Sequence, residues 1–242
     1  GAVLTLKDSS AGTGAVSDAG FLAIQNSAAS TFAYNLSGPG GLAQIGDGAL
    51  TINTAQVYAG STVIAPNATL FLTGAGDLSR SSGVEADGTF DISGVTASSV
   101  GINKLFGNGD VEIGSKTLVV AGNGGVFSGI LSDGGNHGGL TVLGDQVLNG
   151  VVSLTGTTTI GTGATLTVSG PDALGGSALN FQAGSILKFG GSGTYTNAMT
   201  FATGAPVFDV TNQSVVLSGV LGGPGDLAVT GANGTLTLTN TG

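Results

Sequence analysis

The stretch Gly60-Ser61-Thr62-Val63-Ile64-Ala65-Pro66-Asn67-Ala68-Thr69-Leu70-Phe71-Leu72-Thr73-Gly74-Ala75-Gly76-Asp77-Leu78 returns without a gap as Gly156 to Leu174, and eight of the nineteen columns are identical. The shared columns are those of Gly60, Thr62, Ile64, Ala68, Thr69, Leu70, Gly74 and Leu78. Shorter echoes follow at Asp87 to Gly94 and at Ala183 to Gly190, placing Phe90 one period after Leu70 and Leu187 one period after Leu166. A period of roughly 20 residues that carries only short strands marks a coil stacking on itself, because each unit can bury its apolar face only against its neighbours. A β-sandwich also has many short strands, but it has no reason to repeat the same glycine and leucine columns.

Outward from that segment the same grammar persists. Apolar residues alternate with Thr or other β-formers in Leu4-Thr5-Leu6, Leu50-Thr51-Ile52, Leu70-Phe71-Leu72, Leu118-Val119-Val120, Leu166-Thr167-Val168 and Leu236-Thr237-Leu238. Each reads as a strand with one face inward. Gly, Asn and Asp bound these strands and tolerate the positive φ of tight turns. The chain holds 47 Gly in 242 residues, and at about 1 kcal/mol per helical Gly relative to Ala that density works against helix. Five Pro and no Gly-X-Y period exclude collagen, and an apolar fraction of 40% excludes a disordered linker. The expectation is an all-β, right-handed parallel β-helix of about 10 to 12 rungs, continuous from residue 1 to 242, with loops or irregular rungs near 95–106 and 132–139.

A second unit pairs a Gly-rich strand with Gly-x-Leu-Thr. It appears at Leu36 to Leu42 leading into Gly48-Ala49-Leu50-Thr51-Ile52, at Leu217 to Val229 leading into Gly234-Thr235-Leu236-Thr237-Leu238, and weakly at Phe106 to Ile113 leading to Leu118-Val119-Val120. At these residues the chain resembles the passenger-associated repeat of autotransporters, the type V secretion proteins of Gram-negative bacteria. The run from Gly48 to Leu70 follows the family's order, with Asn53 at the turn and Gly60-Ser61-Thr62-Val63-Ile64 as the later strand. The run from Gly222 to Gly242 matches the first half of the repeat and then stops, as a fragment of a longer passenger would. The resemblance covers several segments, about half of the chain. It implies export through the periplasm and outer membrane, a place at the bacterial cell surface or outside it, and a C-terminal outer-membrane barrel in the same precursor as partner. It also implies a stalk acting in surface display, adhesion, self-association, biofilm or virulence, with homotypic, host-surface or glycan ligands.

Composition bears on these readings. No Cys occurs, which suits a chain crossing the periplasm unfolded. The net charge is -9 and the cations are only Lys7, Arg80, Lys104, Lys116 and Lys188, so nucleic acid is not an expected partner. The sequence has no apolar run long enough to span a membrane as a helix, and, if the chain is exported, the expectation is a processed or excised piece.

Chemistry-bearing groups are sparse, and the sequence assigns no catalytic, cofactor-binding or metal-ligating residue and no cofactor. His137 is the one histidine, set among Ser132-Asp133-Gly134-Gly135-Asn136-His137-Gly138-Gly139, and reads as an exposed loop residue. Gly76-Asp77-Leu78-Ser79 has the wrong order for an esterase nucleophile. Twelve Asp and two Glu are scattered without partnering Arg or Lys. A hydrolase or carbohydrate-active enzyme on the same coil therefore rests on a carboxylate pair formed between adjacent rungs. Asp77, Asp110 and Asp226 share a Gly-x-Gly-Asp frame that resembles calcium-binding nonapeptides only loosely and reads instead as turn-capping Asp. Thr pairs at Thr157/Thr159, Thr165/Thr167 and Thr235/Thr237/Thr239 raise ice binding as a lesser alternative, which Phe71, Asp91 and Lys188 at related columns oppose.

Overall fold

The computed structural model describes residues 3–8 and 14–239. Apart from one 3-10 turn at Pro171–Ala173, its regular elements are strands, and every strand pairing among the described residues is parallel. The chain winds through three faces per turn. Face one carries twelve strands among the described residues, from Val3–Lys7 through Thr62–Ile64 and Leu105–Phe106, then Gly125–Phe127 through Ala228–Thr230. Its two six-stranded halves meet at the parallel bridge between Gly107 and Phe127. These twelve strands define twelve rungs of a parallel β-solenoid, a column on the order of 55 Å long at about 4.8 Å per rung.

Faces two and three each have one interruption. Face two runs from Ser30–Phe32 to Val151–Ser153, breaks at the Pro171–Ala173 turn, and resumes at Gly193–Tyr195, Ser214–Leu217 and Thr235–Leu238. Face three holds Gly14–Ser17, Tyr34–Gly38 and Val57–Tyr58, narrows to a bridge between Ala55 and Asp77, and continues from Ser99–Ile102 to Leu221–Gly222. Pro at 171 removes a backbone donor, which accounts for a face-two ladder that lapses in that rung.

Period-two burial within each strand produces the core. In the stretches 49–52, 69–72 and 165–168 the second and fourth residues point inward and the others outward. Because register partners occupy equivalent columns, inward residues stack into ladders: Leu50, Leu70, Phe90, Val111, Leu131 and Val152 follow one another up face two. Each side chain so buried contributes roughly 1.5–3 kcal/mol. In three of the last four rungs the ladders become aromatic, where Phe181, Phe189, Tyr195, Phe201 and Phe208 meet with ring centroids 4.8–5.8 Å apart.

All six strands expected from alternation are present, and the two short-range echoes are true register partners, Leu70 with Phe90 and Leu166 with Leu187. Residues 133–138 form a turn between the strands Ile130–Ser132 and Gly139–Val142, with positive φ at Gly134, Gly135 and His137. Residues 95–106 contain the strands Ser99–Ile102 and Leu105–Phe106, with Val100, Ile102 and Leu105 buried, beside an irregularity: the register shifts between Phe71 and Thr73 where Thr69–Gly74 pairs with Thr89–Val95, and Ser99–Ile102 starts a separate face-three ladder. The C-terminal repeat was expected to run to Gly242, and its last positions, 240–242, lie outside the described residues.

The long repeat behaves in an unexpected way. Thr62 lies on face one and Thr158 on face three, and Leu70 lies on face two while Leu166 lies on face one. The two copies are thus offset by about four and two-thirds turns, so the sequence repeats a corner and not a rung. The corner recurs in detail. Asn67 and Gly163 both turn at positive φ, Ala68 and Ala164 are buried behind them, and Thr62 and Thr158 each donate a buried hydroxyl hydrogen bond, to Ser81 and Ser177, both 3.1 Å.

Glycine sets how closely rungs approach at these corners. Gly88, Gly109, Gly129 and Gly150 stack between faces one and two, and a Cβ on Gly129 would overlap the carbonyl oxygen of Gly109. That oxygen already accepts the amide of Ile130 at 3.0 Å, so it has no room to withdraw. Gly129→Ala should therefore lower stability by about 1–3 kcal/mol, the range for a side chain forced into a packed site. Thermal unfolding followed by circular dichroism measures it; an unchanged midpoint would contradict the close approach.

Candidate functional site

Each group singled out in the sequence has a definite place. Asp133, though no motif marked it, organises the turn that holds His137. The carboxylate has no accessible surface and accepts hydrogen bonds from the amides of Gly135 at 2.8 Å, Gly138 at 3.0 Å and Thr155 at 2.8 Å, and from the Thr155 hydroxyl at 2.7 Å. Desolvation works against its charge, yet the bonds from Thr155, Gly135 and Gly138 outweigh it and hold the carboxyl below its ordinary range. An Asp followed by two Gly, with a Thr one rung later, is the pattern that could have revealed it. His137 takes φ 58 at the end of this turn and donates its backbone amide to the Thr155 hydroxyl. Its side chain is exposed, and no hydrogen bond of the imidazole is found among the described residues. Asp133 is committed to the backbone, so it cannot orient His137 as a triad acid would.

Asp77 is a turn group. It accepts from the amide of Ser79 at 2.9 Å and the hydroxyl of Ser79 at 2.7 Å, around a fully buried Leu78. Asp18, Asp91 and Asp209 make the same bond to the amide two residues on. Asp110 and Asp226 have exposed side chains and lack that bond among the described residues. Ser79 stands three rungs from His137, so the two form no dyad.

One constellation does form between rungs. Asp91 and Glu112 are register partners on the outer side of face two, with Asp110 two positions before Glu112 on the same strand. Glu112 is half-buried, and its carboxyl is raised above its ordinary value by desolvation, eased by the Ser132 hydroxyl and reinforced by repulsion from Asp91, Asp110 and Asp133. The pairing depends on register, which spacing alone did not reveal. No group of three or more His, Cys, Asp or Glu suited to a metal ion occurs among the described residues.

Two open concavities lie at corners of the coil. One of about 350 Å³ is lined by Lys7, Asp8, Gln25, Ser27 and Asp47, and one of about 470 Å³ lies where face three is interrupted, between Gly76-Asp77 and Ser99-Gly101. In each a serine hydroxyl donates to an aspartate, Ser27 to Asp8 at 2.8 Å and Ser79 to Asp77 at 2.7 Å, and each aspartate also accepts the amide of the same serine, which makes the pair a turn cap. Buried polar side chains are structural: the Gln44 amide nitrogen donates to Asn26 Oδ1 at 2.6 Å and to the carbonyls of Gly46 and Gly48, closing a corner from within.

Outer columns are the more regular feature. On face three Thr141, Thr159, Asn180 and Thr200 succeed one another in register over four rungs, with Val119 before them. The interruptions noted in the sequence belong to other faces. Phe71 and Asp91 adjoin on face two, and Lys188 on face one lies 4.0 Å from Asp209 in an exposed pair worth about 0–1 kcal/mol. No helix among the described residues is long and apolar enough to cross a membrane.

No protein-family model, curated protein or solved structure matches the chain.

The Asp133 turn gives a pH test. A carboxyl whose folded value lies below its unfolded value stabilises the fold above the unfolded value and loses that effect as pH falls through the folded one. Asp133→Asn should cost on the order of 1–3 kcal/mol at neutral pH, since a neutral amide replaces a charged acceptor of four bonds. The gap between the two proteins should close as pH falls below about 4. Urea unfolding across pH checks it, and a gap independent of pH would count against the charged acceptor.

Proposed function

We propose that this chain is an extracellular β-helical stalk of a bacterial autotransporter passenger, acting in surface display and in adhesion or self-association. The observation that carries the reading is the face-three column of Thr141, Thr159, Asn180 and Thr200 on a column of twelve rungs. Short hydroxyl and amide side chains repeated at the rung spacing can exchange hydrogen bonds with an identical column laid alongside. Few charges interfere, since only 8% of residues are charged. A stalk also needs what this chain has, a core continuous along one axis and stability that accumulates rung by rung.

Cells displaying the chain should clump, and Thr141→Lys with Thr159→Lys and Thr200→Lys should cut clumping at least tenfold while leaving the unfolding midpoint within a few degrees. If displayed wild-type chain gives neither clumping nor attachment to surfaces, adhesion fails and only the stalk survives. If clumping persists in the lysine variant, face three is not the contact.

A hydrolytic enzyme on the same coil is the second reading, favoured by one observation, the adjacency of Asp91 and Glu112 on neighbouring rungs, where desolvation raises the Glu112 carboxyl above its ordinary value. A pair of carboxyls placed side by side is what glycoside cleavage uses. On that reading, polysaccharide hydrolysis by the purified chain would drop at least a hundredfold in both Asp91→Asn and Glu112→Gln. Equal turnover by wild type and variants would remove it.

A further inference from the structure

The geometry points to the corner between faces one and two as an acceptor column for N-linked sugar, through Asn67, Asn212 and Asn233. These three residues begin Asn-Ala-Thr, Asn-Gln-Ser and Asn-Gly-Thr, and the chain holds one further Asn-x-Ser/Thr, at Asn35-Leu36-Ser37. An Asn two residues before Ser or Thr, with no Pro between, is the acceptor pattern for N-glycosylation.

Fourteen Asn in a chain rich in Ser and Thr would give about three such triplets by composition alone. Their number therefore carries nothing. Their placement does. Asn67, Asn212 and Asn233 all lie at the same corner, each exposed and each at the left-handed tip of its turn, with φ 67, 59 and 58. The turns at Asn67 and Asn212 close with matching bonds, Ala68 N to Ala65 O at 3.0 Å and Gln213 N to Val210 O at 2.9 Å. In all three the hydroxyl residue two positions on, Thr69, Ser214 or Thr235, is the first residue of a face-two strand. Ser214 and Thr235 are direct register partners, so two acceptors occupy successive rungs.

Asn35 provides the internal contrast. It too is exposed, but it is the second residue of the strand Tyr34–Gly38 and pairs with Ala15 inside a parallel ladder. A transferase must take the acceptor backbone into its own site. A protruding turn tip gives up few inter-rung bonds, such as the one from the Asn212 amide to Ala232 O at 3.0 Å, whereas a strand interior must first be pulled from its sheet. The same fold thus presents three acceptors and withholds the fourth.

The transfer is a substitution at the sugar. The Nδ2 of Asn attacks the anomeric carbon of a nucleotide-activated hexose, the carbon–nitrogen bond forms as the carbon–oxygen bond to the diphosphate breaks, the electron pair leaves with the nucleoside diphosphate, and a base on the transferase takes the amide proton. The co-reactant is a sugar nucleotide, and catalysis belongs to a separate glycosyltransferase.

The test treats the folded chain with a soluble Asn-x-Ser/Thr N-glucosyltransferase and UDP-glucose and reads site occupancy by peptide mass spectrometry. The expected result is hexose on Asn67 and on the Asn212/Asn233 pair, formed at least tenfold faster than on Asn35. In urea-unfolded chain the difference should disappear. Thr69→Ala with Ser214→Ala and Thr235→Ala should abolish the corner hexoses while keeping the left-handed Asn turns, and its unfolding midpoint reports that the fold is intact. Folded chain left unmodified while the unfolded chain is modified would overturn the proposal, as would Asn35 reacting as fast as the corner sites.

Discussion

Everything in this molecule depends on the parallel hydrogen-bond ladder from each rung to the next. A ladder at about 4.8 Å per rung leaves the backbone no tolerance at the corners, where three strands in succession must change direction within a few residues. Carbonyl oxygens there sit where a Cβ would otherwise project, as at Gly109 and Gly129. The high glycine content follows from this, not from flexibility. Left-handed turn tips impose the same demand by another route, and Asn meets it at 67, 212 and 233 where Gly does at 163 and 184.

The ladder also governs chemistry. Side chains that are far apart in the chain meet because they share a column, so Asp91 faces Glu112, Asp133 meets Thr155, and Lys188 faces Asp209. Column neighbours of this kind most often serve the scaffold. Asp133 is consumed by one hydroxyl and three amides and holds a turn, while Asp77 and Asp209 cap their own. What is left facing solvent is a set of ordered outer columns, such as Thr141, Thr159, Asn180 and Thr200 on face three.

Energy is not spread evenly along the column. Rungs near the C-terminal end carry a connected aromatic cluster, from Phe181 to Phe208, in which tilted and edge-on ring pairs add to simple burial. Toward the N-terminal end the interior admits Asn26, Gln44 and Gln56, whose amides tie the backbone of the corners together. Buried amides of this type hold register through hydrogen bonds that a slipped rung could not make, while the aromatic rungs depend more on packing. A mutation of equal size should thus be felt differently at the two ends.

By itself the sequence determined the class of fold, the period, and which residues face inward. Alternation of Leu, Ile and Val with Thr is a local property, and Leu50-Thr51-Ile52 or Leu166-Thr167-Val168 can bury in only one way within a strand. Turn chemistry was legible for the same reason at Asn67, Asp77 and the Gly-rich loop holding His137. Only the tertiary structure decided which face each copy of the repeat occupies and which side chains become neighbours across rungs. Rungs differ in length, since Val3 pairs with Phe21 and Phe21 with Gly41 while Val84 reaches as far as Leu105, so position around the coil is the running sum of every preceding turn. Two nearly identical corners can therefore lie on different faces, and Asp91 can come to face Glu112 without any local signal that it will.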